Sequence, residues 1–191
     1  MNKNRDFFNL KASTWDEHHN QDSNFFDDFV EHKCFLKEGD VVLDLACGTG
    51  IITNSIYKIT KAKVIGLDVS DKMIEIAESK NKNTELTFIN DDFYDFKNYK
   101  FDAIICHNAY PHFLDKEKFK LKSCELLNTN GKLIICHTFS REKVNALHKR
   151  PGMIESKITL PAKEESNFYK DKFEEIFIED DEFYVIVLSK K

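Results

Sequence analysis

Polar side chains able to act as acids, bases or ligands lie at the ends of two apolar segments in the second half of the sequence. The segments are residues 101–106 and 132–137, and the polar set is His107, Tyr110, His112, His137, Arg141, Asn145 and His148. Arg141, Asn145 and His148 are spaced i, i+4, i+7, which places them on one face of a helix. We therefore expect the set to converge on one pocket with a chemical role.

Three chemistries are open to this set. A neutral histidine is a suitable general base, because an imidazole titrates close to working pH. Arg141 is suited to hold a carboxylate or a phosphate through paired hydrogen bonds. His112, His137 and His148 are a candidate site for a divalent metal. The metal is the least favoured of the three, because the histidine spacing matches no compact H-x3-H motif.

A glycine-containing segment in the first half of the chain is suited to bind a nucleotide-like cofactor. It runs from an apolar stretch through Ala46, Cys47, Gly48, Thr49 and Gly50. Small residues let a ligand approach the backbone closely, and the start of a following helix supplies free N–H groups. The plain alternative is a tight turn from strand to helix that holds no ligand.

Residues that follow the next two apolar segments add the other parts of an adenosine site. Asp68 ends the second segment, where a carboxylate can accept hydrogen bonds from both ribose hydroxyls. Asp92 and Phe93 follow the third segment and offer an acceptor and an apolar wall to an adenine, and Val69 and Met73 offer further walls. Ligands of open α/β sheets bind at the carboxyl ends of strands, so three such ends favour a cofactor site over a simple turn.

The spacing of the small residues narrows the class of cofactor. The dinucleotide fingerprint G-x-G-x-x-G fails at Ile51 and Thr53, which argues against an NAD-dependent oxidoreductase. The sequence also contains no G-x-x-x-x-G-K-[ST] phosphate loop. Asp44, just before the turn, is ill suited to a pyrophosphate and suits a ligand with a positive group and no phosphate.

Alternating strand-like and helix-like stretches must position these residues. Five apolar runs predict buried strands at 41–46, 63–68, 86–89, 101–106 and 132–137. Helix-like stretches occupy 53–59, 70–79 and 116–127, with Ser70 as an N-cap, and 173–178 and 182–188 predict a hairpin. The pattern predicts a doubly wound, Rossmann-like α/β fold with a seven-stranded sheet, mostly parallel with an antiparallel C-terminal hairpin.

The composition predicts one domain over residues 1–191. The chain has 28 basic and 33 acidic residues and a net charge of -5, which disfavours nucleic acid or an anionic membrane as a partner. No apolar run reaches the length of a membrane span, and the start has no secretory segment. The five cysteines form no C-x-x-C, so we expect reduced thiols and a cytoplasmic protein.

The sequence resembles the class I S-adenosylmethionine-dependent methyltransferases, in particular small bacterial single-domain members. The first motif of that family is an acidic residue followed by alternating small residues. It corresponds here to Asp44-x-Ala46-x-Gly48-x-Gly50, with Ala46 in place of a more usual glycine. The resemblance covers about residues 38–138 in detail and the C-terminal hairpin in outline.

The resemblance implies S-adenosylmethionine as the cofactor. Gly48 and Gly50 would pass close to its methionine part, Asp44 would support the loop and the ammonium group, and Asp68 would bind the ribose. Asp92 and the backbone of Phe93 would contact the adenine, and His107 or Asn108 would lie near the methyl group. The full set expected at the cofactor is Asp44, Ala46, Gly48, Gly50, Asp68, Val69, Met73, Asp92, Phe93, His107, Asn108 and Trp15.

The chain divides into four stretches around that cofactor. Residues 1–38 would form a helical N-terminal lid with Trp15 over the cofactor; a covering helix anchored by aromatic contacts is an equal alternative. Residues 39–138 would form the cofactor-binding core, 139–172 a substrate-side segment and 173–191 the closing hairpin. The adjacent His18 and His19 are expected to be solvated.

Together these patterns predict an enzyme that transfers a methyl group to a small-molecule acceptor. Only residues 1–38 and 139–172 are left outside the sheet to build the walls of an acceptor pocket, which favours a small acceptor. The catalytic candidates are His112, His137, His148, Arg141, Asn145 and Tyr110. The alternative is a non-catalytic protein that binds S-adenosylmethionine or a metal on the same scaffold.

Overall fold

The structure is a computed structural model that describes residues 3–18 and 22–191. The chain divides into two compact units, residues 1–98 and residues 99–191. The division falls inside the predicted cofactor-binding core, and the organisation of the whole chain as one domain stays a prediction.

The first unit, over its described residues, contains three parallel strands and four α-helices. The strands are β1 Val42–Leu45, β2 Val64–Asp68 and β3 Leu86–Asn90, in the order β3-β2-β1. The helices are α1 Lys3–Lys11, α2 Ser23–Lys33, α3 Thr53–Thr60 and α4 Asp71–Lys80, and a 3₁₀ helix at Ala12–His18 lies between α1 and α2.

The strands of the first unit carry two acidic side chains into its interior. Every residue of β1 and β2 is buried, as continuous apolar runs predict for strands covered on both faces. Asp44 of β1 pairs with Gly66 of β2, and Asp68 ends β2 opposite Asn90. Ser70 caps α4 as predicted, because its Oγ accepts the backbone N–H of Met73 at 3.1 Å.

The second unit contains four strands and three α-helices, and all of its residues are described. The strands are β4 Phe101–His107, β5 Leu127–His137, β6 Phe173–Asp180 and β7 Tyr184–Lys190, in the order β4-β5-β7-β6. The helices are α5 Lys116–Leu126, α6 Arg141–His148 and α7 Ala162–Phe168, and a 3₁₀ turn lies at Tyr110–His112.

Pairing in the second unit gathers the predicted histidines at one edge of its strands. β4 and β5 are parallel, with His107 opposite Cys136, so both strands end at the same side. β7 runs antiparallel to β5, with His137 opposite Tyr184. The antiparallel pair β6–β7 is the predicted hairpin, and the fold class, a seven-stranded, mostly parallel Rossmann-like α/β sheet, is confirmed.

Strand β5 differs most from its predicted bounds. We expected a turn at residues 128–131 and a strand from Lys132, whereas β5 begins at Leu127. The register jumps from Phe101 opposite Leu127 to Ala103 opposite Lys132, so the turn residues are accommodated as an irregularity within the strand. Asn130 takes a left-handed conformation there, with φ 60°.

The N-terminal stretch is helical as predicted, although its middle part is a 3₁₀ helix rather than an α-helix. The expectation for the pair His18 and His19 falls outside the described side chains. Within the described parts of the chain, none of the helices combines the length and apolar character needed to cross a bilayer.

Candidate active site

The glycine-containing loop after β1 is held in an unusual backbone conformation. Ala46, Gly48 and Gly50 have φ of 57°, 54° and 74°, in the left-handed region that favours glycine. Ala46 therefore adopts a costly conformation for a residue with a Cβ. A Cβ at Gly50 would lie 3.0 Å from the ring of Phe88, so this position also needs glycine for space.

Asp68 fixes this loop from the end of β2. Its carboxylate accepts the backbone N–H of Gly48 at 2.9 Å and that of Ser70 at 2.8 Å. Burial raises the pKa of Asp68, and these backbone hydrogen bonds, together with one from Val69, act in the opposite direction. One carboxylate thus joins the loop after β1 to the start of α4.

Asp44 is buried beneath the loop with 1% of its surface exposed. Its carboxylate accepts a hydrogen bond from Oγ1 of Thr53 at 2.6 Å. Burial raises its pKa to about 7, the Thr53 hydrogen bond lowers it, and the charge of Asp68 raises it again. The buried carboxyl groups of Asp44 and Asp68 therefore lie close enough for the charge of one to shift the pKa of the other. Together they are suited to bind a cationic ligand.

The N-terminal 3₁₀ helix contacts the same loop. A Cβ at Gly48 would lie 3.7 Å from Nε1 of Trp15, and Asp16 accepts the hydroxyl of Thr49 at 2.6 Å. The other carboxylate oxygen of Asp16 pairs with Lys80 at 2.7 Å. Trp15 lies beside the loop, and its place over the cofactor, as a lid or as a covering residue, stays a prediction.

Some of the residues expected around an adenine are buried apolar side chains, and others have hydrogen-bond partners within the protein. Met73 and Phe93 are buried. Asp92 accepts the backbone N–H of Tyr94 at 2.9 Å. Val69 is partly exposed and lies between Asp68 and the cap of α4.

In the second unit, two of the predicted histidines are in direct contact. Nε2 of His112 lies 3.3 Å from Nε2 of His148. Nδ1 of His148 lies 2.8 Å from the carbonyl oxygen of Val144, which can only accept, so this nitrogen carries the proton and Nε2 carries a lone pair. The pKa of His112 is lowered to about 4, chiefly by burial and also by the charge of His148, while a hydrogen bond with the backbone of Glu155 acts in the opposite direction.

His137 lies deeper in the same unit, with 2% of its surface exposed. Among the described residues, none supplies a hydrogen-bond partner to its buried Nε2. Burial lowers the pKa of His137 well below its ordinary value, and the charges of His107, His148, His112 and Lys116 lower it further. The four predicted histidines therefore share one electrostatic neighbourhood.

Tyr110 belongs to a buried hydrogen-bonded cluster that the sequence did not reveal. Its hydroxyl donates to Oε1 of Glu165 and lies 2.7 Å from the hydroxyl of Tyr169. Lys116 donates to the Tyr110 carbonyl at 2.8 Å, and its Nζ lies 3.1 Å from the centre of the Tyr110 ring. Burial raises the pKa of Tyr110, and the charges of Tyr169 and Glu165 raise it further.

Glu165, Tyr169 and Lys116 were absent from the predicted site. Glu165 follows another glutamate in a charged stretch that is usually solvent-exposed, and the i, i+4 spacing of Glu165 and Tyr169 was the available signal. Lys116 begins α5, where a lysine gives no sign of burial. Burial lowers the pKa of Lys116 to about 8, against the charge of Glu165, which raises it.

The other two residues predicted on the face of α6 have structural partners. Nε of Arg141 donates to both oxygens of Asp180 at 3.0 and 3.1 Å, which ties α6 to β6. Asn145 donates to the carbonyl of Thr159 at 3.0 Å and accepts its N–H at 2.8 Å. The helical face is as predicted, but only His148 of the three is shown in contact with another member of the predicted set.

Asn108 also has a structural role. Its side chain donates to Oγ1 of Thr138 and accepts the N–H of Thr138, both at 3.1 Å, and its own N–H reaches the carbonyl of Cys136 at 2.8 Å. Asn108 therefore joins the ends of β4 and β5, in a left-handed conformation with φ 54°.

The candidate metal site receives no support from the geometry. Across residues 3–18 and 22–191, no group of three or more His, Cys, Asp or Glu side chains is placed to hold a metal ion. His112 and His148 meet, but His137 does not join them as a third ligand in such a group.

Comparison with known proteins places this chain among methyltransferases. The family model described as "Methyltransferase domain" matches residues 36–186. An uncharacterized methyltransferase of Anoxybacillus flavithermus is 31% identical over 154 residues, which covers 74% of this chain and 71% of that protein. An uncharacterized methyltransferase of Schizosaccharomyces pombe is 30% identical over 111 residues, which covers 52% of this chain and 39% of that protein.

The lengths of the relatives and the structural likeness complete the comparison. This chain spans less than half the length of the Schizosaccharomyces pombe protein and of two further curated relatives. A solved complex between the Haloferax volcanii Trm112 methyltransferase activator and the putative methyltransferase gives a TM-score of 0.81 at 17% identity, covering 97% of this chain and 96% of that chain. At this identity the likeness concerns the fold alone.

Proposed function

The chain belongs to the methyltransferase domain family, and from this premise we propose that it transfers a methyl group from S-adenosylmethionine to a small-molecule acceptor. The observation that carries the proposal is the Asp68 carboxylate, which holds the N–H of Gly48 at 2.9 Å and so shapes the loop after β1. A fixed loop with left-handed glycines and a carboxylate at the next strand end is suited to an adenosine cofactor without a phosphate.

The charges around the loop fit a cationic cofactor. Asp44 and Asp68 are both buried, and burial raises the pKa of each carboxyl group. A bound positive group would favour the ionised form of both. In this proposal Gly48, Gly50 and Asp44 hold the methionine part, Asp68 the ribose, and Val69, Met73, Asp92 and Phe93 the adenine.

S-adenosylmethionine, when bound, supplies an electrophilic methyl group on a positively charged sulfur. The protein then has to position the acceptor in line and exclude water. We assign the base to Nε2 of His148, because its Nδ1 donates to the Val144 carbonyl and leaves the lone pair at Nε2. His112 at 3.3 Å is placed to pass a proton to that atom from an acceptor that carries one.

The remaining predicted residues divide between chemistry and support. We propose that His137 and Tyr110 line the acceptor site and that His107 lies near the methyl group. Arg141, Asn145 and Asn108 support the site instead, because their polar atoms are engaged by Asp180, Thr159 and Thr138.

A small acceptor and a cytoplasmic location are part of the same proposal. The acceptor-side residues are buried or partly buried side chains of one compact unit, and the net charge of -5 disfavours nucleic acid. The five cysteines are free thiols, as expected in a reducing compartment.

The first test is calorimetric titration of S-adenosylhomocysteine into the wild type and Asp68→Asn. We expect affinity to fall about 10-fold or more, because a charge-assisted contact contributes roughly 1.5–3 kcal/mol. Asp28→Asn is the matched control, since the Asp28 side chain is 76% exposed on α2. Equal affinity in wild type and Asp68→Asn would contradict the assigned ribose contact.

The second test identifies the acceptor class. The protein is incubated with S-adenosylmethionine carrying a labelled methyl group and a cell extract, and the extract is then separated into small-molecule, protein and nucleic-acid fractions. Label in the small-molecule fraction is expected. Label confined to protein or nucleic acid would overturn the small acceptor, and cofactor binding without any transfer would favour the non-catalytic alternative.

A further inference from the structure

Basic side chains dominate the histidine cluster of the second unit. His107, His112, His137 and His148 act on one another electrostatically, and Lys116 acts on two of them. Lys157 acts on Lys116 in turn. His112, His148 and Lys116 are partly exposed, whereas His107 and His137 are buried.

The negative charge in this neighbourhood is already engaged. Glu165 is the carboxylate whose charge acts on Lys116, and it is buried with 4% exposure. Its Oε1 accepts the hydroxyl of Tyr110, which also contacts Tyr169. The cluster therefore carries more basic groups than acidic ones.

The ammonium group of Lys116 has at least one N–H donor available to a ligand. An ammonium group carries three N–H donors. The Tyr110 carbonyl takes one at 2.8 Å, and the face of the Tyr110 ring, 3.1 Å from Nζ, interacts with the charge. These contacts fix the position of the ammonium group while they leave at least one N–H for a ligand.

His137 supplies a second, independent sign of a ligand. A buried polar atom without a partner is costly, so native structures rarely leave one unsatisfied. Nε2 of His137 is such an atom among the described residues. The His137 ring is held against the Tyr184 ring at 6.0 Å, so the nitrogen is kept in a fixed place.

We propose that this cluster binds a small oxyanion group, a carboxylate or a phosphate, carried by the methyl acceptor. Lys116 and Nε2 of His137 are its donors, and the pair His112 and His148 borders it. An oxyanion satisfies the unpartnered nitrogen and pairs with the Lys116 ammonium group at the same time. The inference names the acceptor class of the proposed methyl transfer and rests on that function.

The test is a titration of the full chain with inorganic phosphate and, separately, with acetate, both in the presence of EDTA. Binding is followed through the histidine side-chain nitrogen resonances, which needs no variant. Saturable shifts of the cluster histidines with either anion are expected, with His32, an exposed histidine of α2, unshifted. The anion that binds more tightly distinguishes phosphate from carboxylate.

Two variants on α5 locate the donor. Lys116→Gln should weaken anion binding roughly tenfold, because it removes the charge of the hydrogen bond. Lys118→Gln, an exposed lysine on the same helix, should leave it unchanged. Equal affinity in both variants, or no shift of any cluster histidine in the wild type, would overturn the inference.

Two further results separate this inference from the proposed function. Anion binding that requires Zn²⁺ in place of EDTA would mean that a metal holds the anion, which overturns the direct contact. Methyl transfer in a protein that binds neither anion would leave the proposed function standing without the inference. Anion binding in a protein that does not bind S-adenosylhomocysteine would support the oxyanion site and contradict the proposed function.

Discussion

Asp44 is the residue at which stability and ligand binding conflict most clearly. Its carboxyl group is buried beneath the loop and accepts one hydrogen bond, from Thr53. Burial raises its pKa from 3.8 to about 7. Between these two pH values the folded protein keeps a proton on Asp44 that the unfolded chain has already lost. The contribution of Asp44 to the free energy of unfolding is therefore fully present below about pH 4 and falls as the pH rises towards 7.

Asp44→Asn should remove this contribution. The amide can still accept the Thr53 hydroxyl, and it carries no charge to be buried. In the absence of cofactor we expect the variant to be more stable than wild type at pH 8, by about 1 kcal/mol or more, and the difference to vanish near pH 4. Urea unfolding followed at both pH values measures this.

The same substitution should weaken cofactor binding. A positive ligand favours the ionised carboxylate, so wild-type affinity for S-adenosylmethionine should rise between pH 6 and 8 while that of Asp44→Asn stays level. Asp28→Asn, far more exposed, should follow the wild type in both assays. A wild type whose stability rises from pH 4 to 7 relative to Asp44→Asn would contradict the assignment.

At the scale of single residues, the sequence indicated which side chains lie at strand ends, but not which partners they contact. Asp44 lies within β1 and Asp68 ends β2, and both strands were predicted from their apolar runs. Glu165 contacts Tyr110 from 55 residues away, and neither Glu165 nor Lys116 carries a local sign of burial. Arg141 and Asn145 were assigned to chemistry because their helical face was right, whereas their partners Asp180 and Thr159 lie outside that helix.

At the scale of elements, α1 and the 3₁₀ helix Ala12–His18 form a strap across the loop and the start of α4. Asn9 accepts the hydroxyl of Ser70 at 2.5 Å and donates to Asp71 at 2.9 Å, and Arg5 also pairs with Asp71. Asp16 adds contacts to Thr49 and Lys80. These are polar contacts near the surface, so the strap is an element of low local stability.

Asp16→Ala should loosen this strap. The substitution removes the contacts of Asp16 with Thr49 of the loop and Lys80 of α4, and we expect affinity for S-adenosylhomocysteine to fall roughly 3- to 10-fold. Trp15 is the one tryptophan of the sequence, so its fluorescence reports the change directly. Acrylamide should quench it more strongly in the variant.

Glu17→Ala is the matched control, because this neighbouring side chain is exposed on the same 3₁₀ helix. It should leave affinity and quenching unchanged. If Asp16→Ala behaves like Glu17→Ala, Trp15 is a covering residue anchored by aromatic contacts such as that with Phe8, and the strap has no part in binding.

The elements themselves were largely predictable, because the buried strands read as continuous apolar runs. The start of β5 was not, since Asn130 and Gly131 indicate a turn and the strand accommodates them as an irregularity. The contacts of Asp16 in the 3₁₀ helix Ala12–His18 with Thr49 and Lys80 span more than 30 residues of sequence, so local propensity does not encode them.

At the scale of the whole molecule, the family model spans residues 36–186 and so includes parts of both compact units. The proposed cofactor contacts lie chiefly in residues 1–98, and the proposed oxyanion site lies in residues 99–191. A ligand that binds only the folded state raises its stability by mass action. Cysteines in each unit can report that effect separately, since four of the five are buried.

Thiol labelling of the native protein should therefore be graded. Cys124 is partly exposed and should react first, whereas Cys34, Cys47, Cys106 and Cys136 require opening of their surroundings. S-adenosylhomocysteine at about 100 times its Kd should slow labelling of Cys34 by up to roughly 100-fold, because Cys34 reacts only when the first unit opens. Cys47, inside the loop, should be protected at least as strongly, and Cys124 serves as the internal control. Mass spectrometry of pulse-labelled peptides measures all five rates at once, and unchanged rates at Cys34 and Cys47 would show that the cofactor does not stabilise the unit to which its contacts are assigned.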